Sequence, residues 1–241
     1  MNIKSFLSYL TGYWFHKRST LPVGVDLFHD IQYRFRYKNI SVVFDVGANI
    51  GQTAHWVRHH ISSSRIYCFE PIRSVYEQLV KNTVSIKKIK TESIAFGDKN
   101  EEIIVRLHKE HTVLNSLKSE LMSHDQDSVE EKVNVLRMDD YCSEKKIKHI
   151  DLLKIDTEGF EINVLKGASE MLTQAKIAFI LCEVGFLRGN VRNTYFADIC
   201  EYLSAYGYYF QGLYQVSGHS WDPQNIFGNA LFVHKKHFHS K

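Results

Sequence analysis

From Val42 onward, short apolar runs alternate with segments whose apolar residues recur every three or four positions. Continuous apolar runs bounded by Gly, Pro or polar clusters predict buried strands, and the three-to-four spacing predicts helices. On that basis strands fall at 42–45, 65–69, 89–95, 150–155, 177–183, 208–214 and 228–234, and helices at 52–60, 73–83, 161–173 and 193–205. The run Ile177-Ala178-Phe179-Ile180-Leu181-Cys182 has no polar face, which suits a central parallel strand covered on both sides. The pattern predicts an α/β fold: a mostly parallel sheet with helices on both faces.

Two further strands, at 101–107 and 133–137, interrupt the alternation and predict a small inserted antiparallel ribbon over about residues 100–137. Its connection, His108 to Lys132, is polar and weakly periodic; a loop of that length is a lid, a substrate loop or a disordered excursion. The chain then divides into an aromatic, basic extension over 1–40, an α/β domain over 41–234, and a basic tail over 235–241. The extension places Tyr9, Tyr13, Trp14 and Phe15 on a predicted helix. A cap packed on the domain is the expectation there; a lid, a dimer contact or a weak foothold on an anionic membrane surface are the alternatives.

With 241 residues there is room for one substantial α/β domain, and two would be cramped. The net charge of +3 is unevenly spread. Six Lys/Arg against Asp26 and Asp30 give 1–40 a charge of +4, and Lys235, Lys236 and Lys241 give the last nine residues +3, which leaves 41–232 at −4. A mildly acidic body argues against nucleic acid as the main substrate. Cys68, Cys142, Cys182 and Cys200 lack C-x-x-C spacing, so buried reduced thiols are expected and a structural zinc site is not. No apolar run approaches the roughly 20 residues of a membrane span, and nothing resembles a secretory signal, so a cytoplasmic protein is expected.

Chemistry concentrates at two places. In Asp45-Val46-Gly47-Ala48-Asn49-Ile50-Gly51 an apolar run enters a Gly-containing turn, and about twenty residues later a second run ends on Phe69-Glu70-Pro71. Gly47 and Gly51 allow a tight turn and close approach of a ligand. The helix starting near Gln52 points free N–H groups at the same space. Glu70 can accept hydrogen bonds from both hydroxyls of a ribose. Asn49 stands where the G-x-G-x-x-G dinucleotide fingerprint requires its second Gly, which counts against NAD. The second place is Lys154-Ile155-Asp156-Thr157-Glu158-Gly159-Phe160-Glu161, which sets Asp156 and Glu158 just beyond a buried strand, while the next strand ends on Glu183. Three carboxylates at neighbouring strand ends suit general-base work or a hard divalent cation, and Asp156 and Glu183 are the ligands expected if a metal is present. His111, beside Asn115 and Ser116, is a further candidate base.

Those two segments, with Ile94-Ala95-Phe96-Gly97-Asp98 and Val164-Leu165-Lys166-Gly167-Ala168, resemble the FkbM family over roughly residues 40–234. These are S-adenosylmethionine (SAM)-dependent methyltransferases, many of them O-methyltransferases of sugars or polyketides. The resemblance implies a Rossmann-like class I methyltransferase: a seven-stranded sheet with a reversed final strand. It further implies that Asp45, Gly47, Asn49 and Gly51 wrap the methionine part of SAM, that Glu70 and Pro71 lie at the ribose, that the loop from Ala95 to Asp98 lies near adenine, and that Asp156 sits close to the transferred methyl. A sugar hydroxyl in a surface polysaccharide or a glycosylated natural product is then the expected acceptor. Two other classes stay open on the residues alone: an NAD(P)-dependent Rossmann oxidoreductase, and a non-catalytic nucleotide-binding module.

Overall fold

The computed structural model describes residues 3–13, 15–108, 128–190, 192–217 and 226–238. Its main sheet contains β1 (Val42–Val46), β2 (Arg65–Phe69), β3 (Ile89–Glu92), β7 (Ile150–Ile155), β8 (Ile177–Gly185), β9 (Tyr208–Ser217) and β10 (Phe227–His234), in the order β3-β2-β1-β7-β8-β10-β9. All neighbouring pairs are parallel except those of β10, which runs antiparallel to β8 and to β9. The order reverses between β1 and β7, and such a switch point opens a crevice at the carboxyl ends of the strands.

Every residue of β7 and β8 is buried, so these strands carry apolar side chains to both faces. On one face Phe44, Leu153, Ile180 and Phe232 pack with Met138, Val164, Leu172 and Leu203 from α5 (Met138–Glu144), α6 (Glu161–Gly167), α7 (Ser169–Thr173) and α8 (Phe196–Ser204). On the other, Val43, Leu152, Phe179 and Leu231 meet Ala54, Val57 and Leu79 from α3 (Gln52–His60) and α4 (Arg73–Thr83). Leu27, Phe28 and Ile31 complete this second core, from α2 (Leu27–His29) and the π-helical turn that continues it. The expected cap thus exists, but only from about Leu27 onward; the preceding helix, α1 (Ile3–Thr11), leaves its apolar residues exposed.

The insertion is a second sheet of three strands: β4 (Ala95–Phe96), β6 (Ser128–Leu136) and β5 (Glu101–His108), with β4 parallel and β5 antiparallel to β6. One strand was expected over 89–95, but β3 ends at Glu92 because its partner β2 ends opposite it at Phe69. Beyond that point no main-sheet backbone remains to pair with, and the chain turns to bond β6 instead. The single helix expected over 161–173 is likewise two: a Cβ on Gly167 would stand 2.0 Å from the carbonyl oxygen of Gly97, so α6 stops where that loop crosses it. The start of α7 is capped from outside, the Asp139 carboxylate accepting the backbone N–H groups of Glu170 and Met171 at 3.0 Å each. Helix α8 starts at Phe196, three residues later than its pattern suggests.

At the opposite end of the sheet, Asp151 fixes how β1 enters. Its Oδ2 accepts the N–H groups of Ser41 and Val42 at 2.8 Å, and its Oδ1 accepts the Tyr37 hydroxyl. Burial opposes ionisation of this carboxyl, but hydrogen bonds from His149, Tyr37 and the two backbone groups outweigh it and hold the pKa below its ordinary value. A depressed carboxylate contributes stability that is present above the unfolded value of about 4 and is lost as pH falls through the folded value. Asp151→Ala should therefore cost about 2–4 kcal/mol in urea unfolding at pH 7, with the gap to the parent narrowing below pH 4. An equal gap at both pH values would assign the loss to packing alone.

Candidate functional site

Where β1 ends, the chain is tied to both neighbouring strands. The N–H groups of Gly47 and Ala48 donate to the Phe69 carbonyl at 3.0 Å, and the Asp156 N–H donates to the Val46 carbonyl at 2.9 Å. Gly47 has φ +78° and lies so near β7 that a Cβ would fall 1.8 Å from the Asp156 carbonyl oxygen. Asn49 follows with φ +47°, a conformation its short amide tolerates better than most side chains, and its Oδ1 accepts the Ile50 N–H at 2.7 Å. Gly51, φ +100°, packs against Thr83 and Leu79 of α4. Its role is to seat α3 on α4, and it does not face the crevice.

The crevice has a volume of about 280 Å³ and three kinds of wall. Ile72, Val75, Ile94, Ala95 and Phe96 form an apolar side, Gly47 and Asn49 its floor, and Asp156, Glu158 and Glu183 an acidic end beside Arg192, Asn193 and Phe227. Between the apolar and acidic parts stands Glu70, next to Pro71. Its two oxygens are braced separately, Oε2 by the Asn49 N–H and Oε1 by the Ile72 N–H, each at 3.0 Å. Burial raises this carboxyl to about 7 against the pull of those two donors. Each oxygen keeps a lone pair for a hydroxyl donor.

The acidic end is organised around a lysine that the motif analysis gave no role. In K-I-D the alternation of a strand puts Lys154 and Asp156 on one face, and Lys154 Nζ donates to Asp156 Oδ2 at 2.8 Å. Lys154 is also the cross-strand neighbour of Asp45. Burial would lower its pKa, but Asp156, Glu183 and Asp45 together raise it, so the ammonium is permanent. For Asp156 burial is likewise overruled, by the Lys154 charge and hydrogen bond, and the carboxyl is held below its ordinary value. Glu183 goes the other way: burial and the facing Asp156 charge push it well above the carboxylate range. The two groups together hold one proton at neutral pH, on Glu183, with Asn193 Nδ2 donating to Glu183 Oε2 at 2.6 Å.

Glu158 sits at φ +49° ahead of Gly159 at φ +97°, two successive left-handed residues in the loop after β7. That loop is held by Glu161, which is fully buried. Its Oε1 accepts the N–H groups of Thr157 and Gly159 and the Thr157 hydroxyl at 3.0–3.1 Å, while Oε2 accepts the N–H and hydroxyl of Thr194. One carboxylate thereby joins the loop after β7 to the loop after β8. Arg192 Nη2 lies 3.4 Å from Glu158 at the mouth. Glu161 stands in the sequence motif without a role, and Arg192 and Asn193 carry no local signal of their own; the K-I-D alternation is the available signal for Lys154.

Of the candidate residues, Gly47, Asn49, Glu70, Pro71, Ala95, Asp156, Glu158 and Glu183 line one crevice. Asp45 does not: it is fully buried behind the turn, without a well-formed hydrogen bond to either oxygen, and burial raises it to about 7. Asp98 is exposed, outside the wall that Ala95 and Phe96 form. His111 lies outside the described residues. Among the described residues no group of three His, Cys, Asp or Glu is arranged to hold a metal ion, and the cation in front of Asp156 is the Lys154 ammonium.

A family model described as the methyltransferase FkbM domain matches residues 45–210. The 2-O-methyltransferase NoeI of Sinorhizobium fredii is 26% identical over 149 residues, 57% of this chain and 61% of NoeI. Methyltransferase 1 of Beauveria bassiana is 24% identical over 147 residues, 54% of this chain and 59% of its own. The chain thus spans about three-fifths of the length of these relatives. Among solved structures, M. capricolum TrmK in complex with S-adenosyl-homocysteine aligns over 84% of this chain and 68% of its own, at 10% identity and a TM-score of 0.48.

Replacing Lys154 by Met would leave Asp45, Asp156 and Glu183 without their buried cation. A loss of about 3–5 kcal/mol is expected in urea unfolding at pH 8. Acids whose folded pKa is raised bind more protons folded than unfolded, so their cost grows as pH rises from about 4. The deficit of Lys154→Met should accordingly shrink toward pH 5. A deficit that does not change with pH would mean the lysine serves only as filler.

Proposed function

The chain belongs to the FkbM methyltransferase family, and on that premise we propose that it transfers the methyl group of SAM to a hydroxyl oxygen of a sugar, in a surface polysaccharide or a glycosylated natural product. The observation that carries this reading is the sequence of walls along the crevice. Across the ends of β3, β2, β1, β7 and β8, an apolar slot, a braced carboxylate and an acidic end follow in the order in which a nucleoside with a cationic sulfonium presents its base, its ribose hydroxyls and its positive charge. The residues therefore fit the cofactor: Ile72, Val75, Ile94, Ala95 and Phe96 would flank adenine, Glu70 would accept from the ribose, and Gly47 and Asn49 would floor the methionine part. When bound, SAM supplies an electrophilic methyl, so the protein contributes position and proton handling.

Holding the acceptor oxygen in line with the methyl can contribute roughly 7–11 kcal/mol in favourable cases. The hydroxyl proton becomes strongly acidic as the new O–C bond forms, so a weak base suffices provided it is ionised. Asp156 meets that requirement because Lys154 keeps it charged. Glu183, protonated at neutral pH, is suited to donate to an acceptor oxygen, and Glu158 with Arg192 flanks the mouth through which a sugar would enter. The −4 charge of residues 41–232 favours a small molecule or glycan over nucleic acid, and the name of the relative NoeI favours oxygen as the atom methylated. The four cysteines are free thiols, which suits work in the cytoplasm.

Isothermal titration should detect SAM, and Glu70→Ala should weaken it by about 10–100-fold, the loss of hydrogen bonds to a charged acceptor. No heat with SAM or S-adenosylhomocysteine would sink the reading. Asp156→Asn should lower kcat by about 10²–10⁴ with labelled SAM and a sugar acceptor, while SAM affinity changes little. Turnover that survives Asp156→Asn would remove Asp156 as the base.

A further inference from the structure

We propose that α1 and the basic turn after it form a foot that lays the protein on an anionic lipid surface. Ile3, Phe6, Leu7 and Leu10 recur at i, i+3, i+4 and i+7, which gathers them on one face of the helix, with Ser5 and Ser8 on the opposite side. None of the four is covered: their exposures are 78, 48, 39 and 61%. Tyr9, Tyr13 and Phe15 extend the patch at 84, 72 and 43%. Neither core of the domain uses any of them.

Charge selects the occupant. Lys17 and Arg18 follow the patch exposed to solvent, and the sequence up to Asp26 contains Lys4, His16, Lys17 and Arg18 without one acidic residue. An apolar stripe with aromatic edges beside positive charge is the pattern of a helix that lies in the plane of a membrane interface. A second copy of the chain fits less well. Nine residues make a helix about 14 Å long. Its apolar stripe offers on the order of 300 Å² per copy, against about 800 Å² per partner in a stable interface.

The segment that joins the foot to the body is firmly anchored, which separates it from a loose tail. Gly24 N–H donates to Asp30 Oδ2 at 3.2 Å, and the Tyr214 hydroxyl of β9 donates to the same oxygen at 2.7 Å. Asp30 Oδ1 receives Arg34 Nε at 2.6 Å, and the Arg18 guanidinium lies 5.3 Å from the centre of the Tyr33 ring. A surface bound by α1 would therefore hold the domain in a restricted orientation. The inference does not depend on the identity of the methyl acceptor.

The test is flotation of the full chain with vesicles of phosphatidylcholine alone and with an equal mixture of phosphatidylcholine and phosphatidylglycerol. The parent should float with the mixed vesicles and less with the neutral ones. Phe6→Glu/Leu10→Glu and, separately, Lys17→Glu/Arg18→Glu should each lower the floated fraction by at least about tenfold at low salt, with circular dichroism unchanged. A parent that stays with the lipid-free fraction, or pairs of substitutions that float as the parent does, would overturn the proposal. A dimer in sedimentation that Phe6→Glu/Leu10→Glu abolishes, without vesicle binding by the parent, would assign the face to a second copy and overturn it equally.

Discussion

A buried ammonium in the middle of the sheet is the charge on which the site rests. Lys154 has Asp45 beside it on β1, Asp156 two residues further along its own strand, and Glu183 facing Asp156 from the next one. Desolvated acids this close cannot all ionise, and the position of the buried ammonium decides which of them does. Asp156, in direct contact with Lys154, keeps its charge, and Glu183 keeps a proton. Two carboxyls of nearly the same chemistry thereby acquire different states at one strand end. A metal ion could impose the same difference; here a side chain from the strand's own alternation imposes it.

The positions of strands were legible because a strand buried on both faces has no choice but to be apolar throughout, as β7 and β8 are. Where elements depend on packing the pattern carried less. Helix α5 and α2 are too short to show a period, and α6 and α7 form one continuous pattern broken by a contact with Gly97, more than sixty residues earlier in the chain. The candidate site divides in the same way. Acids at strand ends could be read from the ends of the apolar runs. Glu161 could not, because its function is to collect donors from two loops whose meeting is a property of the fold.

The glycines of the first turn illustrate a sharper point. They suit both a tight turn and close approach of a ligand, and the packing accounts for the turn: the main chain of Asp156 lies against Gly47, and the side chains of Thr83 and Leu79 against Gly51. The turn is tight because three layers converge there, and of its residues Gly47 and Asn49 face the crevice while Gly51 does not. Asp45 tells the same story from the other side. An acid that heads a motif was expected in the crevice, whereas it lies behind the wall, where its nearness to Lys154 links it to the charges that line the crevice.

Glu70 gives the crevice a link to the acidity of its surroundings. Burial raises its carboxyl to about 7 against the pull of two backbone donors. Hydroxyl groups donating to its oxygens favour the ionised form, so a ribose held there as proposed would displace part of a proton. For a ligand whose hydroxyls donate to Glu70 as proposed, occupancy and proton release would become a single equilibrium, and binding would tighten as the medium becomes more alkaline. Acidification would then weaken that contact at Glu70 without any movement of the fold.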